Sequence, residues 1–233
     1  MLRKNRIENV FSFSLFGSLD KYCKGLLCNI HIINEKFPEW FIWVYVGNDV
    51  PAHILNSLQT NPTVRVFFTG EIGIINKVYR FFPIDNPSVH ICIIRDADSR
   101  VYELDEKCIR EFISSDRLFH IIRDHPNHFH KIMAGMFGIK KGLLKESLQQ
   151  SFITWRRDNF SNDFWDDTHF LCNIIYPKVV YASLIHDDLH NFETEYLKLP
   201  ISTEIGDGSH FIGQVYEYDA NGNEFPKFNY FKK

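Results

Sequence analysis

Asp96 and Asp98 stand one residue apart in the block Arg95-Asp96-Ala97-Asp98-Ser99-Arg100 and are the side chains with the plainest chemical potential. Strand side chains alternate between faces, so two acids with this spacing at an extended strand end point the same way. Such a pair is an oxygen-rich site suited to a hard divalent cation, Mn²⁺ or Mg²⁺, that also holds a phosphate. It is equally the pattern of an ordinary surface turn, and the two acids alone do not separate these readings. Asp166 and Asp167 open a second acidic group, either first-turn acids facing a helix dipole or carboxylates free for proton transfer. His125, His128 and His130 crowd one loop, but one histidine every two or three residues beside Pro126 is poor zinc spacing.

The elements that must position these groups can be read from hydrophobic periodicity. Ile91-Cys92-Ile93-Ile94 is an apolar run of the kind a buried strand shows, and it delivers the chain directly to Asp96. Before it, strands are expected at 10–16, 40–46 and 64–68 and helices at 19–33, 51–58 and 76–82, so strand and helix alternate throughout. Alternation of this kind predicts parallel strands joined by right-handed crossovers, with function at the carboxyl ends of the strands. Later helices are expected at 104–113, 141–156 and 163–175, the last ended by Pro177, with strands at 118–123, 179–185 and 211–218. Gly135-Met136-Phe137-Gly138 predicts backbone packed close to another group. His186-Asp187-Asp188 follows a strand end, and His186 or His210 could complete a metal's coordination. A lone histidine is more often a satisfied polar residue.

The chain has 233 residues, 45% hydrophobic and 24% charged, which fits one globular domain, 1–233, with residues 1–9 and 219–233 as peripheral tails. A net charge of −3 supplies no basic field of the kind that holds nucleic acid. Five cysteines without a C-x-x-C, mostly inside apolar segments, point to a reducing compartment and away from zinc. No run of apolar residues is long enough to span a bilayer, and a cytoplasmic location is expected. The Asn159-Phe160-Ser161 sequon matters only in a secreted chain.

Phe13-Ser14-Leu15-Phe16-Gly17, Tyr79-Arg80-Phe81, the Arg95–Arg100 block, Asp124-His125-Pro126 with Lys131, Gly135–Gly138 and Asp167-Thr168-His169-Phe170-Leu171 follow one another in an order that resembles a known family. It is similar to the small GT-A glycosyltransferases of large DNA viruses and some bacteria, including the N-terminal domain of a chlorella-virus multidomain glycosyltransferase, over roughly residues 10–220. The resemblance implies a GT-A, Rossmann-like α/β fold with a mixed, mainly parallel central sheet flanked by helices. It implies a nucleotide-diphosphate sugar donor, a UDP-sugar, a divalent metal on Asp96 and Asp98, and transfer of a hexose-type sugar to a glycan or protein acceptor. Donor contacts then fall to Ser14, Leu15, Phe16, Gly17, Tyr22, Arg80, Arg95, Asp96, Ala97, Asp98, Lys131 and Gly135. An inverting course needs a carboxylate base, with Asp167 first and Asp166 second. Where relatives often carry Gln and Trp, this chain has Thr168 and Phe137, which bears on the acceptor contacts. Each assignment has a plainer counterpart: Tyr22 as a core residue, and Arg80 and Arg95 as ion pairs holding the two aspartates in place.

Two other readings compete. A haloacid-dehalogenase-type phosphatase also places D-x-D after an apolar strand, but several strand–helix units precede the motif here and Arg100 stands where Thr or Val is usual. A non-catalytic sugar-nucleotide-binding or interaction domain would keep the fold without turnover.

Overall fold

The computed structural model describes residues 7–159, 161–187, 189–193, 198–199 and 210–227. Expectations for the basic segment 1–6, for Phe160, for Asp188 and for the loops at 200–209 lie outside the described residues. Eight strands form one sheet in the order β3-β2-β1-β4-β6-β5-β7-β8. They are β1 Glu8–Leu15, β2 Phe41–Val46, β3 Val64–Phe68, β4 Val89–Arg95, β5 Phe119–Arg123, β6 Met136–Lys140, β7 Ser183–Asp187 and β8 Lys198–Leu199. Five of the seven neighbouring pairs are parallel; β6 alone is antiparallel, to β4 on one side and β5 on the other. The parallel strands expected from the alternation, and the mixed, mainly parallel α/β sheet that the resemblance implies, are therefore present.

Period-2 alternation divides the core between the two sheet faces. Phe11, Phe13 and Leu15 of β1 and Ile91 and Ile93 of β4 pack with Leu26, Ile30 and Ile33 of α1 (Asp20–Lys36) and with Ile109 and Phe112 of α3 (Glu103–Ser114). Val10 of β1 and Cys92 and Ile94 of β4 face the other way, against Val78 and Phe81 of a 3₁₀ helix, Ile74–Asp85. The short α2 (Ala52–Gln59) buries Ile54 and Leu58. The sheet order reverses direction between β1 and β4, and the carboxyl ends of those strands open a crevice there.

Several boundaries differ from the sequence expectation, each for a local reason. The expected helix from 141 begins only at Leu148, as α4 (Leu148–Asn159). Gly142 at φ +94° breaks the chain first, and the Asp85 carboxylate accepts from the backbone N–H groups of Leu148 and Gln149, which caps the helix start. Pro177 does not end the next helical stretch. α5 (Asp166–Phe170) passes through a π turn, Leu171–Ile175, into α6 (Tyr176–Val179), where the proline sits in the first turn and needs no N–H. The last strand of the expectation shrinks to β9 (Tyr216–Tyr218), paired antiparallel with β10 (Glu224–Pro226). The expected tails are corrected with it: β1 starts at Glu8, and Glu224 bonds Arg100 of the acidic block. All five cysteines are free. No helix among the described residues is long and apolar enough to cross a membrane.

Candidate functional site

A cavity of about 560 Å³ opens at the carboxyl ends of β1 and β4, with Asp96, Ala97 and Asp98 in its wall. The turn that carries them is held from below. The side-chain amide of Asn29, fully buried on α1, donates to the carbonyl of Ser99 (2.7 Å) and to that of Ala97 (3.4 Å), and its oxygen accepts from the Val101 N–H. Arg100 donates to the same two carbonyls and, through Nε and Nη2, to Glu224 of β10. A β-carbon on Gly25 would overlap the Ala97 carbonyl, so the close passage of α1 under the turn requires glycine there.

The parity of β4 decides where its terminal side chains go. Asp96 continues the face of Cys92 and Ile94 and meets Arg80 of the 3₁₀ helix in a short ion pair. Arg80 reaches on with its second nitrogen to Asp167 (2.9 Å), and the Lys77 ammonium lies 3.3 Å from Asp167. The Ser14 hydroxyl accepts from the Arg80 N–H (3.0 Å), tying the end of β1 to this helix. Arg95 points to the opposite face and grips Asp105 of α3 with two parallel bonds of 2.7 and 2.8 Å. It is 1% exposed and lies outside the cavity, so neither a donor contact nor a brace on the D-x-D pair is formed by it.

The two acids sit in unlike fields. Burial opposes ionisation of Asp96, but Arg80 and then Lys77 outweigh it and hold the carboxyl below the usual range. The side chain is 43% exposed and lines the cavity. Asp98 is pushed up to about 6, first by burial and then by the charge of Asp96. Lys21 and Arg80 favour its ionised form only from a distance, and no ion pair reaches it among the described residues. A buried carboxylate beside a second one, with no cation from the described residues on it, fits a divalent ion. Among the described residues no group of three or more His, Cys, Asp or Glu side chains could hold a metal, so remaining ligands would have to come from water and a bound phosphate.

Of the residues singled out in the sequence, Ser14, Phe16, Tyr22, Arg80, Asp96, Ala97, Asp98 and Gly135 come together on the cavity wall. Phe16 and Tyr22 stack with ring centroids 6.4 Å apart. Burial, then the charges of Asp98 and Asp96, which line the same cavity, raise the pKa of the Tyr22 phenol. Gly135 passes so close to Asp96 that a β-carbon there would overlap the carboxylate. His125 and His128 also line the cavity; burial and the neighbouring His125 lower His128 to about 3, so it is a neutral imidazole, accepting from the Asp124 N–H.

Others are placed elsewhere. Leu15 is core and Gly17 forms the positive-φ turn into α1, at +72°. Lys131 is exposed, with its ammonium over the Tyr176 ring. His186 joins a buried chain in which its ring nitrogens meet His120 (2.9 Å) and Glu111 (2.8 Å), and His210 bonds Tyr216. Asp166 accepts from the N–H groups of Ser161 and Asp163 and from the Ser161 hydroxyl, so it braces the loop before α5. Asp167 is buried behind Arg80 and Lys77 and accepts from the Thr168 N–H; its oxygens do not line the cavity. Sequence reasoning missed Asn29, Lys77, Asn127, Phe164, Trp165, Phe211 and Gly213. Only Lys77 carried a signal, one helical turn before Arg80.

No family model and no curated protein matches the sequence. Solved structures do. The galactosyltransferase LgtC, in complex with donor and acceptor sugar analogues, superposes with a TM-score of 0.51 at 12% identity, over 76% of this chain and 73% of its own. The mannosyltransferase PcManGT from Pyrobaculum calidifontis, in complex with GDP-Man and Mn²⁺, gives 0.50 at 12% identity, over 78% of this chain and 55% of its own. A glycosyltransferase involved in glycosylation of the major capsid of PBCV-1 gives 0.48 at 15% identity, over 78% and 81%. At such identities the first two likenesses establish the fold: a single-domain, Rossmann-like GT-A architecture.

Proposed function

We propose that this protein is a metal-dependent glycosyltransferase that moves a hexose-type sugar from a nucleotide-diphosphate donor, a UDP-sugar, to a glycan or protein acceptor. The observation that carries the reading is the pairing of Asp98, buried and without a counter-ion among the described residues, with Asp96 at the switch point of a GT-A sheet. Relatives in fold whose structures hold nucleotide sugar or Mn²⁺ lend it support. Mn²⁺ or Mg²⁺ would be held by Asp98 with Asp96 beside it, and such an ion neutralises the negative charge that develops on a departing diphosphate. The chain's own residues do the rest. Phe16 and Tyr22 supply an aromatic slot at the end of β1 for base and ribose. Arg80 and Lys77, already drawn to this wall by Asp96 and Asp167, present the protein's cations to the phosphates. Gly135 lies directly against Asp96, where any side chain would overlap the carboxylate, so glycine there lets Asp96 keep its place in the cavity wall. A phosphatase reading would need Asp96 as a free nucleophile, and its ion pair with Arg80 works against that.

Inversion at the anomeric carbon needs a base for the acceptor hydroxyl. For Asp167 to serve, its ion pairs with Arg80 and Lys77 have to pass to the donor phosphates. The test is to incubate the protein with a panel of nucleotide sugars and Mn²⁺ and follow nucleotide release and product anomer. Mn²⁺-dependent release, reduced at least a hundredfold in Asp98→Ala, is the expected result; release of phosphate from simple phosphomonoesters instead would sink the proposal. In the same assay Asp167→Asn separates two roles. Loss of transfer with donor affinity intact makes Asp167 the base, whereas weaker donor binding with transfer retained makes it the positioning partner of Arg80.

A further inference from the structure

Two loops meet at one side of the cavity mouth and carry aromatic rings that the core does not use. Phe164 and Trp165 line the cavity from the loop before α5, and Phe129 and His130 stand beside Trp165 from the loop after β5. Ring centroids run in a continuous series: Phe129 to His130 4.6 Å, His130 to Trp165 5.0 Å and Trp165 to Phe164 5.1 Å. Phe129 is 54% exposed and Phe164 55%, far more than folding requires of a phenylalanine. The Lys77 ammonium fixes this edge, donating to the Phe164 carbonyl (2.6 Å) and lying 3.8 Å from the ring centre. Hydrogen-bonding groups flank the rings: Asn127 and Thr168 on the cavity wall, and His130, whose imidazole is kept neutral by burial and by His169.

We propose that this aromatic lip is the acceptor subsite and that the acceptor it takes is a glycan, seated with the apolar face of a pyranose ring against Phe129 and Trp165. The inference rests on the glycosyltransferase reading and narrows it. A pyranose has one face of C–H groups and an equatorial rim of hydroxyls, and it matches flat rings bordered by neutral hydrogen-bonding groups. A peptide would look for an open strand edge or a charged groove; the described residues of the lip are rings, and the one ammonium at their edge, Lys77, is taken up by the Phe164 carbonyl and by Asp167. A lipid chain would take any apolar surface and has no need of rings.

Saturation-transfer NMR with the methyl β-glycosides of glucose, galactose, mannose and N-acetylglucosamine tests this on the full chain. Phe129 is exposed enough that its replacement leaves the core untouched. At least one glycoside is expected to show saturation on the protons of one ring face, and Phe129→Leu and Phe129→Ala to weaken binding at least tenfold. Phe129→Tyr should stay within about threefold, and Phe225→Ala, an exposed ring on β10, should match wild type. The ratio of sugar transfer to donor hydrolysis should fall in step with binding. Wild-type binding by Phe129→Leu overturns the proposal, as does binding of a dodecyl chain or a Ser/Thr peptide with no glycoside bound. Mn²⁺-dependent donor hydrolysis without any glycoside on the lip leaves the transferase and removes this inference. A glycoside on the lip with no nucleotide sugar turned over leaves sugar binding at the rings but removes the transferase reading and, with it, the role of acceptor subsite.

Discussion

Asp98 and Asp96 share a wall yet respond to acid in opposite directions. The Asp98 carboxyl holds its proton more tightly in the folded chain, titrating at about 6 against an ordinary 3.8. Its contribution to stability is therefore complete below about pH 4, is lost as the pH rises to about 6, and above that leaves a penalty on the order of 2–3 kcal/mol. Asp98→Asn removes the penalty. In metal-stripped protein at pH 7.5 this variant should melt roughly 4–8 °C above wild type, and the gap should close as the pH falls to 4. Mn²⁺ should raise the Tm of wild type and leave the variant unmoved. A lower Tm for Asp98→Asn in calorimetry would show that the carboxylate is already satisfied and remove the argument for a cation. The two acids were legible in the sequence because D-x-D spacing and strand alternation act within three residues. The same alternation, applied one residue back, puts Arg95 on the other face, and only its partner ten residues on, Asp105, was missing from view.

At the scale of elements, the misread Arg95 becomes a strut between sheet and helix. Its guanidinium and Asp105 are both almost fully buried, and the pair locks the end of β4 to the first turn of α3. Asp105→Ala leaves an unpaired buried cation and should cost about 3–5 kcal/mol in urea unfolding, whereas the donor KM of the fraction that remains folded should match wild type. A donor KM raised tenfold would return Arg95 to the binding site. Elements with long periodic patterns, such as α1 and β2, were legible. β6 was not, because five residues containing a glycine, read next to another glycine, give no periodic signal. Its place between β4 and β5 is set by pairing across the sheet, with Gly138 admitting Ile93. The start of α4 depended on a cap from Asp85, 63 residues upstream of Leu148, which no local pattern contains.

Across the whole molecule, the segment 210–227 ties to the acidic turn both the stretch the sequence reads as a strand, 211–218, and the start of the one it reads as a tail, 219–233. The Tyr216 N–H donates to the Asp98 carbonyl (2.9 Å), the Ile212 N–H to the Asp124 carboxylate (3.1 Å), and Glu224 holds Arg100. Phe211, Gly213 and Val215 then face the cavity as part of its wall. The contact between Glu224 and Arg100 is the one whose loss should report on this arrangement. Glu224→Ala leaves a guanidinium with 1% of its side chain exposed to be satisfied by the Ala97 and Ser99 carbonyls and the Tyr218 hydroxyl. A cost of about 1–3 kcal/mol is expected, discounted because Glu224 keeps 23% of its side chain in solvent. The turn between the two acids loses a brace at the same time, so Mn²⁺ affinity by titration calorimetry should fall three- to tenfold. Glu224→Gln keeps a hydrogen-bond acceptor and should recover most of the metal affinity and part of the stability. If Glu224→Ala changed neither Tm nor metal affinity, the β9–β10 hairpin would be an appendage, and the support of the acidic turn would come from Asn29 and Arg100 without it.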